Sequence, residues 1–287
     1  MIDPLVVLAF ATPIILAAIG ELVLEKCGVL NLGLEGSMLL AAFVGAIVSL
    51  ETKNPWLGLA AGSLAGLALT TLVTLMAVKW SADQVVSGTA ATLFAMGLTS
   101  VLFRARFGES GSLLTVAKVP NQGGVDAIMI LAVLLIPLVT LGLARTRFGL
   151  ALRAAGEYPA AAESCGYSVD RLRLIAGLIA GALAGLGGAY LALGIVGSFS
   201  ENMVAGRGFV AIAMVTFGRW KPWLTLAGCL LVGYLDALQY LFQAKGWNLP
   251  YQLFVAMPYA AALLVLAIGG RSANAPAALA RPFRRSQ

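Results

Sequence analysis

The chain has 287 residues, 60% hydrophobic and only 11% charged, with a mean hydropathy of +0.92; a soluble domain carries about 25% charged residues, so a water-soluble globule is excluded and the bilayer is the solvent for most of the chain. The net charge of +6 and pI near 9.4 come from short polar stretches and a basic tail, not from a stripe interleaved with aromatics, which argues against nucleic acid. Histidine is absent, and Cys27, Cys165 and Cys229 have no metal-ligand spacing, so neither a disulfide framework nor a zinc site is expected and the metal complement is none.

Crossing about 30 Å of hydrocarbon takes about 20 helical residues. The segments 5–20, 28–50, 56–78, 85–103, 126–144, 174–196, 205–218, 222–243 and 251–269 meet or approach that length. They predict an all-α polytopic membrane protein of about nine transmembrane helices (eight to ten), forming a single transmembrane domain over 1–287. Met1-Ile2-Asp3-Pro4 lacks the basic stretch of a cleaved signal peptide, so the run Leu5–Ile19 is read as a retained first span.

The second span is approached by Glu21–Ser37, ELVLEKCGVLNLGLEGS. Charge within a membrane is costly, and glycine-interrupted backbone is tolerated only where protein or a wet cavity satisfies it. One reading is a broken helix beside a translocation path, with Asn31 and Glu35 as pathway residues. The other places Glu21, Glu25 and Lys26 in a cytoplasmic loop, with Glu35 near the interface and paired to a neighbour. Further on, Gly58, Gly62 and Gly66 fall four apart, as do Gly177, Gly181 and Gly185. Such spacing puts each trio on one helix face, where backbones approach closely, so both are expected at helix–helix seams. The surrounding stretches, GLAAGSLAGLA at 58 and GLIAGALAGLG at 177, resemble each other and are predicted to run in opposite directions, as an inverted repeat would; shared Gly/Ala bias is the alternative. Pro137 and Pro258 lie inside spans and favour kinks.

Between residues 145 and 173 lie Arg145, Arg147, Arg153, Arg171 and Arg173, and the tail at 270–287 holds Arg271, Arg281, Arg284 and Arg285. Both are expected in the cytoplasm. By length alone the short segment Ala205–Gly218 could be a re-entrant half-helix, but an even number of crossings must separate the two basic stretches, so it is expected to cross. The N-terminus is thereby placed outside, together with Arg104, Arg106 and Lys118. That basic outer loop runs against the charge rule, unless it folds into the membrane or meets a partner. Within 145–173, Pro159 suits a helix start, Ala160–Glu163 favour helix and Gly166 suits its end, which predicts a short helix lying across the loop. Gly197–Pro222 places Glu201, Asn202, Arg207 and Gly208 at the outer edge of the short span, where a gate or a strained loop would sit.

No Gly-x-x-x-x-Gly-Lys-Ser/Thr loop occurs, so ATP is not expected on this chain, and no Ser/His or Cys/His set exists for covalent catalysis. Asp126 and Asp236 fall in separate spans without a suggestive local sequence, which leaves no case for an intramembrane hydrolase.

Three stretches together resemble the permease subunits of bacterial ABC importers for nucleosides and simple sugars, within the branched-chain amino acid and ribose permease superfamily: GVLNLGLEG at Gly28–Gly36, AAGEYPAAAE at Ala154–Glu163 and AGRGF…FG at Ala205–Gly218. The similarity runs in order from about residue 20 to 269; Tyr158 departs from it, where asparagine is the family's residue. The resemblance implies a many-helix bundle of the larger importer type, not an enzyme. It implies a coupling helix that docks on a separate ATPase through Gly156, Glu157, Pro159, Ala161, Glu163 and Gly166. It also implies a central path at a two-permease interface, for which Asn31, Glu35, Glu201 and Asn202 are the candidate polar groups. ATP and magnesium would sit on that partner, with no cofactor on this chain. Further implied partners are a second, longer permease, an ATPase with two nucleotide-binding domains, and an extracytoplasmic lipoprotein or periplasmic binding protein. The location implied is the bacterial inner membrane. Two other classes remain open at this point: an ATP-independent secondary transporter or channel, and a non-transporting membrane scaffold.

Overall fold

The computed structural model describes residues 3–108, 114–121, 123–244 and 275–283, with isolated helical positions at 256, 257, 260, 263 and 267. The predicted span 251–269, with Pro258, otherwise lies outside the described residues, as do Arg271, Arg284 and Arg285 of the tail. Among the described residues ten α-helices are delimited, in chain order: α1 (Pro4–Lys26), α2 (Leu34–Thr52), α3 (Pro55–Lys79), α4 (Gln84–Phe107), α5 (Ala127–Arg145), α6 (Arg147–Glu157), α7 (Pro159–Ser164), α8 (Val169–Tyr190), α9 (Arg207–Phe217) and α10 (Pro222–Ala244). Among the described residues, α1 to α5 and the α8 segment through Val196 are long and apolar enough to cross a membrane, six in all. A two-residue antiparallel ladder joins β1 (Leu114–Thr115) to β2 (Ser198–Phe199).

The helix at the centre is α1. Every residue from Ala11 to Glu25 is buried. A helix apolar all round has no solvent or lipid face to prefer, so it settles where other helices surround it. Helices α8, α9, α10 and α5 pack against it, and Gly233 of α10 brings its backbone onto Ala11. By contrast α4 and α5 leave Val86, Leu93, Phe94, Val101, Leu134 and Leu138 exposed, as a lipid-facing or partner-facing wall must.

Helices α2, α3 and α8 form the tightest layer. A Cβ on Gly62 would meet Ala189 and the Ala41 carbonyl; one on Gly66 would meet Gly185 and Gly181; one on Gly58 would meet Gly45 and Ser49. From the other side, Gly177 faces Thr74, Gly181 faces Thr70, and Gly185 faces the carbonyls of Gly62 and Ser63. The two helices are antiparallel, and the contact between 62 and 185 exchanges into that between 66 and 181 when the two similar stretches are interchanged. Ser63 Oγ donates across the seam to the Ala182 carbonyl (2.9 Å), and Ser37 and Thr70 share a hydroxyl bond of 2.9 Å. In lipid, close backbone approach and such bonds replace the hydrophobic effect as the glue.

The predicted boundaries move furthest at two places, and by less where α4 runs on to Phe107 and α8 begins at Val169. The first helix runs on to Lys26, so Glu21 and Glu25 lie buried inside the bundle and not in a loop. The second begins at Leu34, six residues later than expected. Residues 27–33 are non-helical because α1 closes on Gly28: its φ of +91° suits glycine, and Gly28 N and Val29 N donate back to the carbonyls of Glu25 and Leu24. The short predicted span is an 11-residue helix, α9, about 16 Å long, preceded by a turn of π-helix (Leu191–Val196) and irregular chain.

Candidate functional site

Two interrupted segments meet inside the bundle. Segment 27–33 turns back from the end of α1 and climbs beside α4, held by side chains in place of a regular ladder. Leu30 N donates to Gln84 Oε1 (2.8 Å), Asn31 N to Glu21 Oε1 (2.8 Å), Gly33 N to Asn31 Oδ1 (2.9 Å), and Thr92 Oγ1 to the Leu32 carbonyl (3.1 Å). Helix α2 therefore starts well within the bundle, with Gly36 against Thr92. Thr92 lies two turns along α4, about 12 Å from its start at 1.5 Å per residue.

The start of α9 faces the start of α2, and one carboxylate lies between them. Glu35, in the first turn of α2, accepts from Gly206 N through Oε1 and from Gly208 N through Oε2, both at 2.7 Å. The first amides of a helix have no intrahelical partner and carry the positive end of its dipole. Glu35 thus satisfies α9 with charge-assisted bonds while complementing its own helix. A Cβ on Gly208 would meet the Glu35 backbone, so no larger residue fits there without displacement. Beside this contact Arg207 forms an ion pair with Asp236 of α10 (3.3 Å). Charges inside a membrane protein pair with one another, and this is the one ion pair among the described residues with both side chains largely buried.

The other end of α9 is tied as well. Trp220, buried, donates its indole N–H to Glu25 Oε2 (2.5 Å). Arg219 and Trp220 both have positive φ, 51° and 55°, a turn into which L-residues are held only by surrounding contacts. Glu21 Oε2, Glu25 Oε1 and Asn31 Nδ2 are buried without a hydrogen-bond partner among the described residues, which marks this zone as a polar interior.

At the same end of the bundle lies the predicted short helix. Thr146 caps α6, accepting from Gly149 N (2.9 Å); Pro159 opens α7, and Gly166 at φ +84° closes it. Glu157, Tyr158, Ala160, Ala161, Cys165 and Gly166 are exposed, while Glu163 is half-buried. Gly156 is buried against the end of α1: a Cβ there would meet the Lys26 carbonyl and Gly28 N. The tail braces the same spot. Ala278 N donates to the Gly156 carbonyl (2.8 Å), Ala277 N to Glu157 Oε2 (3.2 Å) and Ala280 N to the Gly28 carbonyl (3.2 Å). Arg173, nearly fully buried, donates to the carbonyls of Cys27 (3.3 Å) and Arg281 (3.2 Å). A cation at the carboxyl end of α1 complements its dipole.

The opposite end carries the basic loop that ran against the charge rule. Arg104 makes a two-pronged pair with Glu201 (2.8 and 2.9 Å), and Arg106 pairs with Glu51. The Arg104 guanidinium holds the Glu201 carboxyl below the usual carboxylate range. Asn202 is exposed, in a turn at φ +55°. Of the four predicted pathway residues, then, Asn31 and Glu35 come together at the paired helix starts, and Glu201 and Asn202 sit apart at the far end. Asp126 caps α5 and accepts from Tyr190 Oη (2.5 Å), while Asp236 belongs to Arg207; the two do not pair with each other. Gln84, Arg173, Trp220 and the Arg207–Asp236 pair escape the sequence reading. A signal existed for the last: two opposite charges in apolar segments require partners. None of the described residues forms a group of three or more metal-ligating side chains.

A bundle of apolar helices with two broken segments meeting inside it, and an exposed short helix braced at one end, defines a polytopic membrane transport subunit. The chain belongs to the family described as the branched-chain amino acid transport system permease component, whose model matches residues 4–268. It is 31% identical over 300 residues to the guanosine ABC transporter permease NupQ of Bacillus subtilis, covering 96% of this chain and 94% of that one. It is 33% identical over 295 residues to the nucleoside ABC transporter permease NupC of Lactococcus lactis (94% and 93%). It is 37% identical over 243 residues to TsgC13 of Haloferax volcanii, provisionally named a glucose ABC transporter permease (80% and 74%). No solved structure matches. The chain is thus an ABC importer permease, a multi-pass protein of the cytoplasmic membrane. It is not an enzyme, its ATPase is a separate subunit, and the system includes a solute-binding protein.

Proposed function

We propose that this permease imports a nucleoside by alternating access, pairing with a second, longer permease in a bundle of the larger importer type. The N-terminus lies outside, and the 145–173 loop and the tail lie in the cytoplasm, where α7 docks on an ATPase with two nucleotide-binding domains. ATP and magnesium belong to that partner, and a lipoprotein or periplasmic protein delivers the solute. Nucleoside is favoured over a simple sugar because two relatives matched over nearly their whole length are named for guanosine and nucleoside transport, whereas the relatives named for glucose are matched over less of theirs.

One observation carries the mechanism: an unbroken chain of contacts from the coupling arm to the paired helix starts. Gly156 presses on Lys26 and Gly28, segment 27–33 follows, and Glu35 hands the displacement to α9 through Gly206 and Gly208. A push on α7 shifts the base of segment 27–33, and α9, too short to span by itself, tilts between its two ties at Glu35 and Glu25. Asn31 and Glu35 latch the inner edge of the path; Glu201 and Asn202 form its outer rim. The solute crosses a weakly polar route, since tight binding would trap it.

The test is Gly156→Ala in the assembled transporter, reading uptake of labelled uridine against labelled ribose, together with ATP hydrolysis. The variant is expected to insert and assemble with a stability cost of about 1–3 kcal/mol from overpacking against Lys26, to hydrolyse ATP, and to lose most uridine uptake. Unchanged uptake would remove the coupling role, and ribose uptake in the wild type without uridine uptake would replace the solute.

A further inference from the structure

A cavity of about 600 Å³ opens on the membrane side of the bundle where α1, α5, α6 and α8 meet. Its lining includes Val23, Leu138, Gly142, Leu152, Ile179 and Leu183, and no polar atom is exposed within it. Nothing lies within 4 Å of where a Cβ on Gly142 would project, so the groove is open beside that glycine. At one end it reaches Thr146, Phe148 and Gly149, the corner between α5 and α6. That corner carries Arg145 and Arg147, both exposed and without an ion-pair partner among the described residues. An apolar slot with two unpaired cations at its mouth has the amphiphilic pattern of a phospholipid. Basic sites between transmembrane helices on the cytoplasmic side recognise acidic head groups.

We infer that this groove is a binding site for an anionic phospholipid of the inner leaflet, its acyl chain between α5 and α8 and its phosphate at Arg145 and Arg147. The leaflet assignment rests on the orientation proposed above; the preference for an anionic lipid does not. Because α6 floors the groove and continues into Glu157, the lipid bears on the coupling arm.

Native mass spectrometry of the full-length chain, with phosphatidylglycerol and phosphatidylcholine of matched acyl chains, tests this. Wild type is expected to retain one phosphatidylglycerol with about thirtyfold preference, the size two surface-level arginines supply. Arg145→Gln with Arg147→Gln should remove the preference but keep a bound lipid. Gly142→Leu, which grows into the groove, should release lipids of both kinds at an unchanged thermal midpoint in plain detergent. Equal retention of the two lipids by wild type means annular lipid only and overturns the site. So does retention of the preference by the double variant, or of the lipid by Gly142→Leu. A photo-crosslinker at position 142 that captures a protein in place of lipid makes the groove a subunit interface and overturns it too. Labelling of a cysteine at 160 from outside would reverse the leaflet alone.

Discussion

Glu35 carries more structural responsibility than any other single side chain near the two interrupted segments. Each of its oxygens accepts one backbone N–H of α9. Glu35→Ala orphans both, at about 1–3 kcal/mol for each buried donor left without an acceptor. Glu35→Gln keeps one carbonyl oxygen but turns an amide toward the other donor, and should fall between the two. Thermal midpoints in detergent, ordered wild type, glutamine, alanine, check this. At the far end Glu201 is held below its ordinary pKa by Arg104. Its contribution is therefore complete above the unfolded glutamate value of about 4.3 and disappears as pH falls through the lower folded value. Protection of the loop around Glu201, read by hydrogen exchange, should be unchanged down to pH 5 in wild type and modestly lower over the same range in Glu201→Ala.

At the scale of elements, the seam between α3 and α8 makes the sharpest prediction. A methyl on Gly66 or Gly185 has no space, because the opposing atoms are backbone and cannot rotate away. Gly66→Ala should cost about 1–3 kcal/mol by overpacking, whereas Gly97→Ala on the exposed face of α4, with nothing near its Cβ, should cost nothing measurable; chemical denaturation of the two variants separates them. Most of the helices were legible in the sequence, because hydropathy over 20 residues reports the one requirement lipid imposes. The late start of α2 was not. Val29, Leu30 and Leu32 read as apolar span, and the groups that hold them out of a helix, Glu21, Gln84 and Thr92, lie up to 60 positions away. Periodicity cannot see a hydrogen bond made by a distant side chain. The glycines of that stretch and the asparagine at 31 were the local traces of it, and a broken helix was one of the two readings they left open.

For the whole molecule, orientation is the property on which the transport reading stands. Cysteine substituted at position 160 should react with an impermeant maleimide only after the membrane is opened, whereas one at position 202, exposed at the opposite end, should react in intact cells. The reverse pattern would turn the coupling arm away from any cytoplasmic ATPase. The charge rule alone left three basic residues on the outer side. The structure pairs two of them with Glu201 and Glu51, but acidic partners count little toward that rule, so the three basic residues still stand against it.

Helix α1 precedes every other helix in the chain, yet it ends up walled in by them. Its apolar first half can wait in lipid as it emerges from the ribosome, and Glu21 meets the Asn31 amide ten residues later, but Glu25 meets Trp220 only after 195 more residues have been made. Biogenesis must then run from the inside outward, with later segments wrapped around a pre-placed axle. A stalled or truncated product would leave Glu25 without its indole partner in the bilayer, a flag by which membrane quality control can recognise it.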